Sequence, residues 1–144
     1  MNGYKNATTD AKQIREWFER WPDANIGIAT GAVSGIVVID LDPSKGGFES
    51  AKQLANEHGA LASPLEVFSG GGGRHLYFRH PGKPVKNSAS ELAPGIDVRA
   101  DGGHIVAPPS IHVSGKPYAG VDGLLHDPPE LAAWLVDRIA APEK

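Results

Sequence analysis

The sequence predicts one α+β domain over its 144 residues, with short strands and amphipathic helices around a central sheet. The main observation is the stretch from Gly35 to Asp42, an apolar run whose β preference and flanking turn residues are typical of a buried central strand. Segments with apolar residues at helical spacing lie on both sides of this run. The 18 glycines and 12 prolines supply the tight turns that short elements need.

Composition excludes several classes of protein. The 40% apolar content is typical of a chain that buries a core, and the absence of cysteine excludes disulfides and thiolate zinc sites. No apolar run approaches the roughly 18 residues of a membrane span, and residues 1–5 do not resemble a signal peptide. We therefore expect a cytoplasmic protein without membrane contact. Its net charge of −3 means that any DNA binding must use a local basic patch.

The first half of the chain contains two predicted helices and two predicted strands. After a lead-in over residues 1–9, Asp10 is predicted to cap a first helix with a core-facing apolar stripe. The stripe consists of Ile14, Trp17, Phe18 and Trp21. A short strand over 26–29 precedes the central strand, and a second helix is predicted from about Phe48 to His58.

The middle of the chain is predicted to contain strands around glycine-rich turns. Strands over 66–69 and 74–79 flank four consecutive glycines, and residues 81–94 are predicted to form a polar loop. A strand over 95–99 should turn back into a strand over 104–107, and the two would then form a hairpin.

The end of the chain is predicted to be helical. A further short strand is predicted at 111–113, before a last helix that begins at Asp127 with its proline pair in the first turn. The inner stripe of that helix should consist of Leu131, Trp134, Leu135 and Ile139.

Two carboxylates mark the end of the central strand. Asp40 and Asp42 are separated by one residue, so they face the same side of the strand with Cα atoms roughly 6.5 to 7 Å apart. Two like charges in this position are unfavourable unless a cation shares them, and a divalent metal is the simplest such cation. The alternative is that both side chains only solvate the end of a strand.

The four glycines at 70–73 are the second candidate site. Glycine carries no side chain, so the backbone N–H groups of such a loop can approach anionic oxygens closely. In the strand that follows, alternation places His75, Tyr77 and Arg79 on one face and apolar residues on the other. The pattern favours anion binding by the loop together with His75, although a lone histidine is more often structural.

Six segments, taken in order, resemble a known family. They are Ala7 to Asp10, Asn25 to Ile28, Val38 to Asp42, Gly71 to His75, Gly95 to Arg99 and Val106 to Ser110. Over about residues 7–120 they are similar to the prim-pol domain, the bifunctional DNA primase/polymerase branch of the archaeo-eukaryotic primase superfamily. The resemblance implies a primase-like catalytic core, with an RRM-like antiparallel or mixed sheet and flanking helices.

The resemblance also implies a set of site residues. Asp40, Asp42 and Asp97 would be catalytic and would hold one or two Mg²⁺ or Mn²⁺ ions. The triphosphate of an incoming nucleotide would be bound by Ser69, Gly72, Gly73, Arg74 and His75. Arg79 and Arg99 would contact the DNA backbone.

The implied activity is template-dependent nucleotidyl transfer by a DNA primase/polymerase. Its substrates would be dNTPs or NTPs and a single-stranded DNA template or primer, and its partner a helicase or another replication protein. Family members usually begin with a further strand and helix, whereas here six residues precede Ala7. We therefore expect a domain shortened at its N-terminus, or a fragment of a longer replication protein. The alternatives are a weakly active remnant that binds nucleotide and metal, and a metal-dependent nuclease or phosphohydrolase.

Overall fold

The computed structural model describes residues 6–120 and 127–142. Within these residues the helices are α1 (Ala11–Arg20), α2 (Gly47–His58) and α3 (Ala133–Ile139). The strands are β1 (Ile26–Ala29), β2 (Ile36–Leu41), β3 (Glu66–Phe68), β4 (Arg74–Arg79), β5 (Ser88–Ala93), β6 (Ile96–Arg99), β7 (His104–Ala107) and β8 (Ala119–Gly120). None of these helices is long and apolar enough to cross a membrane.

β2 is the central strand of a six-stranded sheet. The strand order is β5-β6-β2-β4-β3-β8, and every strand pairing in it is antiparallel. Val37, Val38 and Ile39 are fully buried, which confirms the prediction made from the apolar run. A strand that is covered on both faces needs an unbroken apolar sequence, and this explains why β2 lacks polar alternation until Asp40.

Each face of the sheet packs against a different layer. On one face, Ile39 and Leu76 pack against Leu54 of α2 and Leu135 of α3. On the other face, Val38 and Tyr77 of β2 and β4 pack against Ile28 and Ile105, which belong to the separate two-stranded sheet β1-β7. The predicted α+β class is confirmed, and the side chain of Asp40 lies on the face that the small sheet covers.

The predicted hairpin between 95–99 and 104–107 is wrong. β7 pairs antiparallel with β1, with Ile26 opposite Ala107, whereas β6 pairs with β2 and β5. The turn at 100–103 is compatible with a hairpin, but pairing with β1 buries Ile105 against the second face of the large sheet. Long-range burial therefore decides where this strand pairs.

The predicted loop at 81–94 contains an edge strand. β5 pairs with β6, with a bulge between Ala89 and Ala93 and with Ser90 at a φ of 55°. Its residues are mostly exposed and polar, so the sequence has no apolar alternation that could reveal a strand. The predicted strand at 111–113 is also wrong, since Ile111 forms an isolated bridge with Pro117.

The first and last helices differ in part from the prediction. Asp10 caps α1 as predicted, and its Oδ1 accepts from the N–H of Lys12 at 3.1 Å. The apolar stripe of α1 does not reach the core, because no residue of the helix is buried and its aromatic side chains line an open cavity of 450 Å³ beside β1. The predicted inner stripe of α3 packs against the core. The helix begins at Ala133 rather than at Asp127, because the carbonyl of Pro129 accepts from the N–H of Arg79 instead of from a helical N–H.

Asp101 joins the turn after β6 to three other segments. Its carboxylate accepts from the backbone N–H groups of Val85 at 2.8 Å and Ala32 at 2.9 Å, and Oδ1 lies 2.9 Å from Nε2 of His80. Desolvation raises the pKa of Asp101, but these hydrogen bonds outweigh it and leave the pKa below its ordinary value. The charged carboxylate therefore stabilises the fold.

We expect Asp101→Asn to lower the free energy of unfolding by about 2 kcal/mol near neutral pH, because a neutral amide accepts more weakly than a carboxylate. The stability that a lowered pKa adds is fully present above the unfolded-state pKa and is lost as the pH falls toward the folded-state pKa. The difference between the two proteins should therefore shrink as the pH falls below about 4. Urea denaturation at several pH values measures it, with Asp137→Asn on the exposed side of α3 as the control. A difference that stays constant into acid would contradict this prediction.

Candidate active site

The strand register sets three of the predicted site residues in one row. Asp40 on β2 lies directly opposite Asp97 on β6 and directly opposite His75 on β4. Residues that are directly opposite in antiparallel strands share a face of the sheet and bring their side chains together. The row Asp97–Asp40–His75 therefore follows from backbone pairing.

Arg99 pairs with both carboxylates of the row. Its Nη2 lies 3.2 Å from Oδ2 of Asp97 and 3.8 Å from Oδ2 of Asp40. The other oxygen of Asp97 accepts from the N–H of Ser90 at 3.0 Å. Arg99 was predicted to contact DNA, and it lies within the acidic site because it follows Asp97 by two residues on the same strand.

The carboxylate of Asp40 is desolvated by burial. Burial is the main cause that raises the pKa of Asp40; Arg99 and Lys45 oppose the rise, Asp97 and Asp42 add to it, and the resulting pKa is about 6. A buried carboxylate with this pKa, beside like charges, is typical of a functional site. An additional cation at this point would stabilise the charged form.

His75 is buried beside Asp40. Burial and, to a smaller extent, the charge of Arg99 lower the pKa of His75 to about 4, so the imidazole is neutral near neutral pH. Its Nε2 lies 3.5 Å from Oδ1 of Asp40, and its buried Nδ1 has no hydrogen-bond partner among the described residues. The ring also lies 6.0 Å from that of Tyr118, centroid to centroid. A neutral imidazole can donate one hydrogen bond to an anionic oxygen.

Asp42 lies at the turn that follows β2. Its Oδ1 accepts from the N–H of Ser44 at 2.9 Å and from its hydroxyl at 2.7 Å, so it caps a 3₁₀ turn at 43–45. The backbone of Asp42 is held by the carbonyl of Gly95 and the N–H of Gly47, each at 2.8 Å. A Cβ on Gly47 would lie 2.7 Å from the backbone of Asp42, so glycine is needed to fix this acid beside Asp40.

The glycine loop is folded onto Ser69. The hydroxyl of Ser69 accepts from the N–H of Gly73 at 2.9 Å, and its carbonyl accepts from the N–H of Gly72 at 3.0 Å. A Cβ on Gly70 would overlap the backbone carbonyl oxygen of Lys116, which explains why the loop needs glycine there. Ser69 therefore shapes the loop, and the two bonded amides face it in this conformation.

Arg74 and Arg79 lie outside the row. Arg74 lines a cavity with Leu41 and Leu76 on the opposite face of the sheet, where its Nε pairs with Glu66. Arg79 lies four residues along β4 from His75, or about 13 Å away, and pairs with Glu130 at 3.8 Å. The structure thus brings together Asp40, Asp97, His75 and Arg99, with Asp42 and the loop at the end of the row.

Sequence reasoning missed Tyr118 and His112, which lie beside His75 and the loop. The ring of Tyr118 is 5.8 Å from that of His112, and the pKa of Tyr118 is raised by burial and by the charge of Asp40. The stretch from 111 to 120 is irregular and largely exposed, so no periodicity could have revealed it. For Arg99, the sequence did contain a signal: it lies two residues after Asp97 on one strand, so alternation places both side chains on the same face of the sheet.

The donor chemistry of the row fits Mg²⁺ or Mn²⁺. Carboxylate oxygens are the ligands that these hard cations prefer, and a bound cation would offset the cost of burying the charged form of Asp40. Among residues 6–120 and 127–142, however, no three acidic or histidine side chains are arranged as a ready metal site. Arg99 would have to move away from Asp40 and Asp97 before all three acids could bind one ion.

The raised pKa of Asp40 has a measurable consequence for stability. The folded protein holds this proton more tightly than the unfolded chain, so its stability falls as the pH rises from about 4 to about 6. With a chelator present, we expect Asp40→Asn to be about 1–2 kcal/mol more stable than the wild type near neutral pH, and not near pH 4. Thermal unfolding of the two proteins near neutral pH and near pH 4 measures the difference in stability at each pH. Equal stabilities near neutral pH would contradict the raised pKa.

The comparison with known families agrees with the sequence motifs. The family model described as bifunctional DNA primase/polymerase, N-terminal, matches residues 1–134 of the 144 residues. No curated protein and no solved structure matches the chain. At the level of the family, the match indicates nucleotidyl transfer of the DNA primase and polymerase type. The resemblance seen in the sequence is confirmed, and the chain belongs to the bifunctional DNA primase/polymerase N-terminal family.

Proposed function

We propose that this chain catalyses template-dependent nucleotidyl transfer as a DNA primase/polymerase, with dNTPs or NTPs as substrates and Mg²⁺ or Mn²⁺ as the cofactor. The observation that carries the proposal is the register that puts Asp97, Asp40 and His75 in one row. Membership of the primase/polymerase family supports the reaction class. The row supplies the acidic side chains that this reaction needs from a protein.

The carboxylates Asp40, Asp42 and Asp97 would hold the metal. When bound, a divalent ion activates the attacking 3′-hydroxyl and stabilises the leaving pyrophosphate. The side chains then have little acid–base chemistry to perform, and their task is to fix positions. β2 and β6 provide a rigid frame for Asp40 and Asp97, because both strands are paired on both sides within the sheet.

The triphosphate would lie against His75 and the glycine loop. The neutral imidazole can donate one hydrogen bond to a phosphate oxygen, and glycines let the chain approach a ligand closely. The hydrogen bonds of Ser69 with Gly72 and Gly73 hold the loop beside the first residue of β4, Arg74. We propose no phosphate contact for Arg74 in this conformation, because it faces the other side of the sheet.

The partners remain predictions. Single-stranded DNA would bind mainly through its backbone phosphates, and the exposed Arg79 is a candidate contact. A helicase or another replication protein as a partner, a single domain over 1–144 and a cytoplasmic location also remain predictions from the sequence.

We expect Asp40→Ala and Asp42→Ala each to reduce primer extension by about a thousandfold, because the metal would lose a carboxylate ligand. The assay uses a primed single-stranded template, labelled dNTPs and Mg²⁺ or Mn²⁺, and an unprimed template tests for priming. Asp137→Ala on α3 is the matched control and should extend like the wild type. Unchanged extension by both variants would exclude the metal role.

The products distinguish the proposal from its rivals. Longer strands and pyrophosphate are the products of a transferase, whereas shorter strands or free phosphate would identify a hydrolase. A folded wild type that binds Mn²⁺ and nucleotide without extending a primer would be a binding remnant.

We expect His75→Ala to weaken nucleotide binding about tenfold, since one hydrogen bond to a charged phosphate would be lost. Quenching of intrinsic fluorescence by dNTP in the presence of metal measures the dissociation constant. His58→Ala, which changes a histidine stacked on Trp134, is the control and should leave it unchanged. Equal affinity of His75→Ala and the wild type would contradict the assignment.

A further inference from the structure

The guanidinium of Arg99 is the cation that contacts both carboxylates of the row. Its Nη2 contacts Asp97 at 3.2 Å and Asp40 at 3.8 Å, while its side chain keeps 38% of its surface exposed. Both contacts use the Oδ2 atoms of the two aspartates. A guanidinium held by two carboxylates in this way is not free to bind a phosphate of DNA.

The strand register explains why the guanidinium lies there. Arg99 lies opposite Val38, two residues along β2 and β6 from the directly opposed pair Asp40 and Asp97 and on the same face of the sheet. Like charges directly opposite on neighbouring strands repel each other, and half-burial strengthens the repulsion. Arg99 relieves this repulsion in the metal-free protein. Its exposed fraction also leaves it room to move outward.

A divalent ion would compete with Arg99 for the same two carboxylates. An ion ligated by Asp40 and Asp97 would lie within a few ångströms of the guanidinium, and the two cations would repel each other. In the present geometry, therefore, the two carboxylates can pair fully with Arg99 or with a divalent ion, but not with both at once.

We propose that Arg99 is an internal competitor of the metal, which neutralises the Asp40–Asp97 pair in the metal-free protein and leaves it when a divalent ion binds. The inference rests on the proposed function, because it takes Asp40 and Asp97 as metal ligands. Arg99 thereby sets the metal affinity through the carboxylates, as a positioning residue. The displaced guanidinium then becomes available to the phosphates of a nucleotide, which couples the binding of metal and nucleotide.

Direct metal binding without nucleotide tests the proposal. Mn²⁺ titration followed by electron paramagnetic resonance gives the dissociation constant, and thermal unfolding with a chelator gives the metal-free stability. We expect Arg99→Gln to bind Mn²⁺ about tenfold more tightly and to unfold at a lower temperature than the wild type. A residue with a merely structural role would not tighten the binding of metal.

Two further variants complete the design. Arg99→Lys keeps the charge but pairs with one carboxylate at a time, so its Mn²⁺ affinity should lie between those of Arg99→Gln and the wild type. It also provides a test if Arg99→Gln does not fold. Arg138→Gln makes the same chemical change on α3, which packs on the opposite face of the sheet, and should bind Mn²⁺ like the wild type.

The outcomes separate this inference from the proposed function. Arg99→Gln and Arg99→Lys that bind Mn²⁺ no more tightly than the wild type would overturn the competition. If Asp40→Ala at the same time binds Mn²⁺ less well than the wild type, the metal site stands and this inference alone fails. Equal Mn²⁺ binding by Asp40→Ala and the wild type would overturn both.

Discussion

The pairing of β2 with β4 and β6 is the constraint on which the site depends. β2 is buried on both faces, so its apolar side chains fix the register on both of its edges. A slip of one residue would turn every side chain to the opposite face. The register that buries Ile39 against the helices therefore also places Asp40 between Asp97 and His75. Packing and site geometry are consequences of one alignment.

Much of this arrangement could be predicted from local patterns. The apolar run identified β2, and alternation along β4 and β6 assigned Leu76, Val98 and their neighbours to one face and His75 and Asp97 to the other. Local patterns failed where distant pairing decided the outcome. β7 pairs with β1 because this pairing buries Ile105, and no neighbouring residue in the sequence indicates that burial. The edge strand β5 has too few apolar residues to be recognised as a strand from the sequence. The ion pairs of Arg99 required the register, which a sequence alone does not give.

Part of the family pattern builds the frame of the site. The side chain of Asn25 exchanges two hydrogen bonds with the backbone of Ile111, at 3.0 and 2.9 Å. The hydroxyl of the buried Ser110 accepts from the N–H of Ile26 at 2.7 Å. These contacts fasten β1 to the segment after β7, and the small sheet then covers the face that carries Asp40. Motif residues far from the acids can thus be required for structure alone.

The row also has a consequence for how the protein folds. Asp40, His75 and Asp97 come from three strands that are far apart in the chain, and Tyr118 closes the group from still further along. Contacts of such large sequence separation form late, after the entropic cost of closing long loops has been overcome. A chain in which β2 has not paired with β4 and β6 therefore lacks the row. Any ligand that binds the row must act on the native state alone, so that occupancy and folding stability rise together.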